Sequence, residues 1–195
     1  MRICIASNNA KKRKEIETIL EILGIGVVPV AETRFTDVDE DGDNFAANAQ
    51  KKAEAFAALN KLPALADDSG LCVDALDGAP GVYSSRYAGG SATDAENNAK
   101  LLQELDGVSD RNAHFACAIH LAFPDGSPPI TEEGRVEGNI LEIEEGENGF
   151  GYDPLFFCSE IGKSFANATA TEKASVSHRG RALTLFREKL KSRLG

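Results

Sequence analysis

His114 to Val136 reads HFACAIHLAFPDGSPPITEEGRV. Its first ten residues alternate, with Phe115, Cys117, Ile119, Leu121 and Phe123 on one side. That is the period-2 pattern of a strand with a buried face. Pro124-Asp125-Gly126 turns the chain, and Ile130 to Val136 reads as the returning partner of a hairpin. Segments of helical periodicity lie on both sides of this hairpin. The chain is therefore expected to form an α/β fold, a mixed β-sheet with flanking helices.

Towards the N-terminus, Arg2 to Ala6 reads as a short buried strand and Ser7-Asn8-Asn9-Ala10 as a turn. A helix follows, with Ile16, Ile19, Leu20 and Leu23 at i, i+3, i+4 and i+7, and Gly24 stops it. Val27 to Val30 looks like a second strand, with Pro29 marking an edge. Asp37 to Asp43 is an acidic loop, and Asn44 can cap an Ala-rich helix to about Leu59. Pro63 to Ala66 predicts a third strand, ending in a turn at Asp67-Asp68-Ser69-Gly70, with Leu71 to Leu76 extended beyond it. Thr93 and Glu96 form a capping box for a helix through Leu105. Leu155 to Cys158 reads as a strand. The last helix starts near Ala174 or Arg179 and turns Leu183, Phe186 and Leu190 inward. No linker divides the chain, so residues 1–195 are expected to act as one domain.

Composition narrows the function classes. With 42% hydrophobic and 27% charged residues, the 195-residue chain is globular rather than disordered. The net charge of −10 disfavours nucleic-acid binding, which needs a basic face to neutralise phosphates. No apolar run approaches the ~20 residues of a membrane helix, and nothing marks the chain for export. A cytoplasmic protein without a membrane partner is expected. Cys4, Cys72, Cys117 and Cys158 form no C-x-x-C pair and read as buried thiols rather than a disulfide or zinc framework.

Four stretches carry possible chemistry. Ser7 to Lys12 (SNNAKK) places side-chain and backbone donors and two lysines at a helix N-terminus, which suits a phosphate chain. The same residues also read as a well-capped helix with a solvated basic turn. Asp67 and Asp68 are adjacent carboxylates that repel unless a cation lies beside them. With one acid of the Asp39–Asp43 loop they offer oxygen ligands for Mg²⁺, or simply an exposed turn. Successive strand residues face opposite ways, so the two aspartates are expected to do different work. Gly149-Phe150-Gly151-Tyr152-Asp153 lets a flat group approach Phe150, and Asp153 can accept from a base edge; a turn around a core aromatic also fits. His178 and Arg179 are donors suited to an oxo group or a phosphate. His114, His120 and, taken alone, Lys52 read as ordinary structural or solvated side chains.

Taken in order, SNNAKKRKEI, DEDGDNFAANAQKKA, LPALADDSGLCVDALDGAPGVYSSRYAG, NGFGYDPLFF and TEKASVSHRGRAL make the chain resemble the inosine triphosphate pyrophosphatase family nearly end to end. The resemblance implies two lobes around a deep central cleft, Mg²⁺ dependence and a homodimer. It implies hydrolysis of dITP, ITP and XTP, purine nucleoside triphosphates, to the monophosphate and pyrophosphate. It assigns Ser7, Asn8, Asn9, Ala10, Lys11 and Lys12 to the phosphates, with Ser69 beside them. It assigns Glu40, Asp67 and Asp68 to the metal, and Asp68, Lys12 and Lys52 to catalysis. Phe150, Gly151, Tyr152, Asp153, Lys173, His178 and Arg179 fall on the base pocket. Asn8, Lys11 and Asn148 stand where that family often has glycine, a departure that bears on substrate range. A Maf-like pyrophosphatase and a non-catalytic nucleotide sensor are the alternatives; GFGYDP and SHRG count against the first, and Asp67-Asp68 with Glu40 and Lys12 against the second.

Overall fold

A ten-residue strand, β3 (Ala64–Val73), runs without a break through Asp67-Asp68-Ser69-Gly70 in the computed structural model, which describes residues 2–194. Met1 and Gly195, the ends of the expected 1–195 domain, lie outside the described residues. The turn expected at Asp67–Gly70 is therefore absent. Asp, Ser and Gly favour turns through local hydrogen bonds and free dihedrals; here buried charged partners hold both aspartates within the strand instead.

The other elements are β1 (Arg2–Ile5), α1 (Ala10–Ile22), β2 (Gly26–Val27), α2 (Phe45–Asn60), α3 (Asp94–Glu104), β4 (Asn112–Ala122), β5 (Ile130–Ile140), β6 (Phe156–Cys158), β7 (Lys163–Ser164), α4 (Ala170–Val176) and α5 (His178–Leu194). The strands form one seven-stranded sheet in the order β2-β1-β3-β4-β5-β6-β7. β1 pairs in parallel with β2 and β3, whereas β6 pairs antiparallel with β5 and β7, so the sheet is mixed as expected. β2 is shorter than Val27–Val30, because the chain curls into a 3₁₀ turn at Val30–Glu32 after Pro29. The expected last helix is two helices, with the extended residue Ser177 between them. No helix among the described residues is long and apolar enough to cross a membrane.

Local signals set the ends of several elements. Asn9 caps α1 through its side chain, and Asn44 caps α2. Thr93 and Glu96 form the reciprocal capping box of α3, and Thr169 with Glu172 form a second one on α4. The Glu172 carboxyl is lowered to about 2 by the Thr169 backbone N–H, then by Lys163 and the Thr169 hydroxyl.

The chain folds into two compact units. One takes the chain up to Asp68, then Cys117–Gly134, then the chain from Arg179 onward; the other takes Ser69–Ala116 and Arg135–His178. The first unit buries Cys4, Ala6 and Val28 against Ala53, Phe56 and Ala57 of α2, whose small side chains let the helix lie close. The second is built on aromatic packing. Phe115, Phe156 and Phe165 lie with ring centroids 4.7, 5.0 and 6.0 Å apart, beside Leu71, Leu101 and Tyr152. Such ring contacts contribute about 0.5–1.5 kcal/mol each beyond their area. All four cysteines are free, and burial pushes the Cys4, Cys72 and Cys117 thiols up.

Candidate active site

Pleat alternation along β3 sends Asp67 and Asp68 into different surroundings within the first unit. Asp67 is 2% exposed. Its Oδ2 accepts from Arg179 Nη2 at 2.6 Å and Nε at 3.2 Å, and Lys12 Nζ lies 3.8 Å away. Arg179 also donates to the Glu15 carboxylate of α1. Burial alone would raise the Asp67 carboxyl, but Arg179, Lys12 and Lys52 together hold it well below the usual carboxylate range. Arg179, itself buried, is held above its ordinary value chiefly by Asp67 and Glu15 against the cost of its own burial.

Asp68, 4% exposed, faces α2. Its Oδ2 accepts from Asn48 Nδ2 at 3.1 Å and its Oδ1 from Lys52 Nζ at 3.2 Å. Lys52 Nζ is equally 3.2 Å from Glu40 Oε2, so one ammonium lies between two carboxylates. Burial pushes the Asp68 carboxyl up, Lys52 and Lys12 pull it down, and Glu40 pushes it up again; the net direction is upward. Lys52 is held above its ordinary value by Asp68, Asp67 and Glu40 in spite of burial. One carboxylate is thus fixed as an anion, and its neighbour is tuned towards accepting a proton.

At the start of α1, Asn9 Oδ1 accepts from the backbone N–H groups of Lys11 (3.0 Å) and Lys12 (3.1 Å). These two amides, expected for a phosphate, are already capped from within. Ser7 Oγ accepts from Asn9 N at 3.3 Å, and Arg13 donates to Ser7 O at 3.0 Å. Asn8 Nδ2 donates to Asp37 Oδ1 at 3.1 Å, tying this turn to the acidic loop. Asn8, Asn9, Ala10 and Lys11 remain exposed, and Lys12 is half-buried.

The second unit holds the remaining assigned residues. Asp153, 2% exposed, accepts at Oδ2 from Phe150 N (2.8 Å) and from Lys173 Nζ (2.7 Å). Lys173 Nζ also lies 4.9 Å from the Phe150 ring centroid and 5.6 Å from that of Phe165. Gly149 has φ +79°, and a Cβ there would fall on the Asp153 carboxylate, so only glycine fits. Gly151 N donates to Asp94 Oδ2 at 2.9 Å, Asn98 Nδ2 donates to Gly151 O at 3.3 Å, and the Tyr152 hydroxyl donates to Ser84 O at 2.9 Å. Asp153 Oδ2, expected to meet a base edge, is thus engaged in holding its own loop. Half-buried Phe150 keeps a face beside Lys173. His178 stacks on Phe115 at 4.8 Å and 15°. Ser69 is half-buried on β3.

Two of the assigned groupings come apart in this geometry. Among the described residues no three of His, Cys, Asp or Glu gather where one metal ion could take all of them. Glu40 and Asp68 converge on Lys52, whereas Asp67 turns to Arg179. Arg179 itself serves Asp67 and Glu15 in the first unit, while its chain neighbour His178 belongs to the aromatic cluster of the second. Sequence reasoning missed Asn48, Glu15, Asp94 and Asn98. Only Asn48 had a local signal, four residues before Lys52 on the same helix face. His120 is structural, with Nδ1 2.8 Å from Thr131 Oγ1.

Comparison with known proteins covers nearly the whole chain. A dITP/XTP pyrophosphatase of Desulfotalea psychrophila is 50% identical over 182 residues, covering 93% of this chain and 81% of that protein. A dITP/XTP pyrophosphatase of Geobacter sulfurreducens is 49% identical over 192 residues, covering 97% and 96%. The solved structure of a HAM1 protein from Coxiella burnetii superposes with a TM-score of 0.87 at 42% identity, over 98% of this chain and 99% of that one. The model of the Ham1 family matches residues 3–189, and with that span accounted for the chain belongs to the Ham1 family.

Proposed function

We propose that the chain is a nucleoside triphosphate pyrophosphatase that converts dITP, ITP and XTP, non-standard purine nucleotides, to the monophosphate and pyrophosphate. The observation that carries the reading is the contrast on β3: Asp67 fixed as an anion by Arg179, and Asp68 raised by burial beside Lys52. The relatives named dITP/XTP pyrophosphatases support the substrate class.

In this reading water attacks the α-phosphorus, the bond from that phosphorus to the bridging oxygen breaks, and pyrophosphate leaves. Asp68 takes the proton of the attacking water. Its hydrogen bonds from Asn48 and Lys52 fix the carboxylate plane. Lys12 and Lys52 meet the phosphate oxygens and offset the charge on the leaving group. Asp67 stays ionised and keeps Lys12 in place.

Glu40 and Asp68 fit a divalent cation, since their oxygens already converge on one cationic atom, and Mg²⁺ is commonly held by one or two carboxylates plus phosphate oxygens. Bound there, Mg²⁺ would neutralise charge on the phosphate oxygens. Phe150 stacks on the base, and a His178 donor meets the 6-oxo group of hypoxanthine or xanthine, which adenine replaces with an amino group. A cytoplasmic homodimer acting on the free nucleotide pool completes the reading.

Pyrophosphate release from dITP, ITP, XTP, GTP, ATP and dUTP, with and without Mg²⁺, tests it. Fast Mg²⁺-dependent release from the first three is expected. Binding without release would support a sensor, and preference for dUTP a Maf-like enzyme.

A further inference from the structure

Asn48 lies inside the first unit, fully buried, and both ends of its amide are in use. Its Oδ1 accepts from the backbone N–H of Gly42 at 2.8 Å. Its Nδ2 donates to Asp68 Oδ2 at 3.1 Å. One end therefore holds the acidic loop, and the other holds a carboxylate on the central strand. Lys52 follows one helical turn later and bridges the same two partners by charge, from Glu40 of the loop to Asp68. The loop comes so close to α2 that a Cβ on Gly42 would lie 2.6 Å from Asn48 Oδ1 and 3.0 Å from Ala47 Cβ. Glycine at 42 and asparagine at 48 are thus complementary.

We infer that Asn48 is a positioning residue that sets the spacing between Glu40 and Asp68, and so the pair of carboxylates available to a divalent cation. The inference rests on the pyrophosphatase reading. The amide chemistry selects asparagine. Aspartate can accept from Gly42 but cannot donate to Asp68, and glutamine is one methylene too long for the same two contacts. Lys52 alone does not set the spacing, because an ammonium on a flexible four-carbon stem is a point charge without directional preference. The planar amide, fixed by two hydrogen bonds, provides the direction.

The test compares wild type, Asn48→Ala and Asn48→Asp for dITP hydrolysis over a Mg²⁺ titration. Mn²⁺ binding is read in parallel by electron paramagnetic resonance with a non-hydrolysable nucleotide, and melting temperature reports folding. Expected in both variants is a rise of at least fivefold in the half-saturating Mg²⁺ concentration, with a matching weakening of Mn²⁺ binding. The KM for dITP at saturating Mg²⁺ should stay within about twofold of wild type. A smaller folded fraction would lower kcat without moving the half-saturating metal concentration, so kcat falling with the melting temperature at an unchanged metal requirement overturns the proposal. Should Asn48→Ala fail to fold, Asn48→Asp keeps the Gly42 contact and carries the same comparison. Wild type that releases no pyrophosphate removes the pyrophosphatase reading and this proposal with it; active wild type with both variants unchanged removes only the proposal.

Discussion

Each unit neutralises one buried carboxylate with one buried cation, Asp67 with Arg179 and Asp153 with Lys173, and the two solutions differ. Arg179 brings a planar fork: two of its nitrogens reach Asp67 Oδ2 and a third reaches Glu15. Lys173 brings a point charge, and its carboxylate partner also takes the Phe150 N–H while two aromatic rings flank the ammonium. The fork fixes a strand relative to two helices. The point charge fixes a loop and leaves the adjacent Phe150 ring partly open. A guanidinium suits a joint that must hold its shape, and an ammonium suits one that leaves a neighbouring ring partly open.

Asp68 supplies the sharpest contrast, since its carboxyl is raised where Asp67 is lowered. Asp68→Asn should reduce turnover by about 10³-fold or more while nucleotide affinity stays within a few-fold, measured by pyrophosphate release and by isothermal titration. Unchanged turnover would end its role as proton acceptor. Next in size, Arg179→Met leaves buried Asp67 without its bidentate partner, with Lys12 at 3.8 Å still beside it. A loss of about 3–5 kcal/mol in urea unfolding is expected, and a loss below about 1 kcal/mol would show that the fork is dispensable. Arg179→Lys keeps the charge and discards the fork; about 1–3 kcal/mol should be lost, which separates geometry from charge.

Lys173→Met should cost less, about 2 kcal/mol, because Asp153 keeps the Phe150 N–H. It should raise the KM for dITP several-fold with kcat nearly unchanged, and a fall in kcat alone would count against a base-side role. The smallest effect concerns acid. The folded pKa of Asp67 lies below its unfolded value near 4. Its pairing therefore contributes stability above about pH 4, lost as pH falls further towards the folded value. Urea midpoints measured between pH 5 and 3 should drop more steeply for wild type than for Arg179→Met.

Much of this was legible in order along the chain. The Asn9 and Asn44 caps, the Thr93–Glu96 box and the alternation from Phe115 to Leu121 all rest on neighbours within a few residues. The pleat also correctly separated the surroundings of Asp67 and Asp68. What failed was long-range. The partner that keeps Asp67 in a strand is Arg179, 112 positions away, and no local window shows that pairing. Asp153 looked available until Lys173, 20 positions on, claimed it. Ile119 and Leu121 were read as one face of a half-buried strand, yet Ala118, His120 and Ala122 are buried too. Small and polar residues conceal a second covered face from any hydrophobicity pattern.

The unbroken path of β3 through its two aspartates also governs which changes of length the gene can tolerate. Deleting or inserting one residue ahead of Asp67 would turn every later side chain to the other side of the sheet. Asp67 would then face Lys52, and Asp68 would face Arg179. Substitutions along this strand can be graded in their effect, but a single-codon insertion or deletion exchanges the two aspartates outright. Length variation should therefore collect in surface segments such as Pro124–Pro129 and be absent between Ala64 and Val73, a pattern that a library of single-residue insertions would read directly.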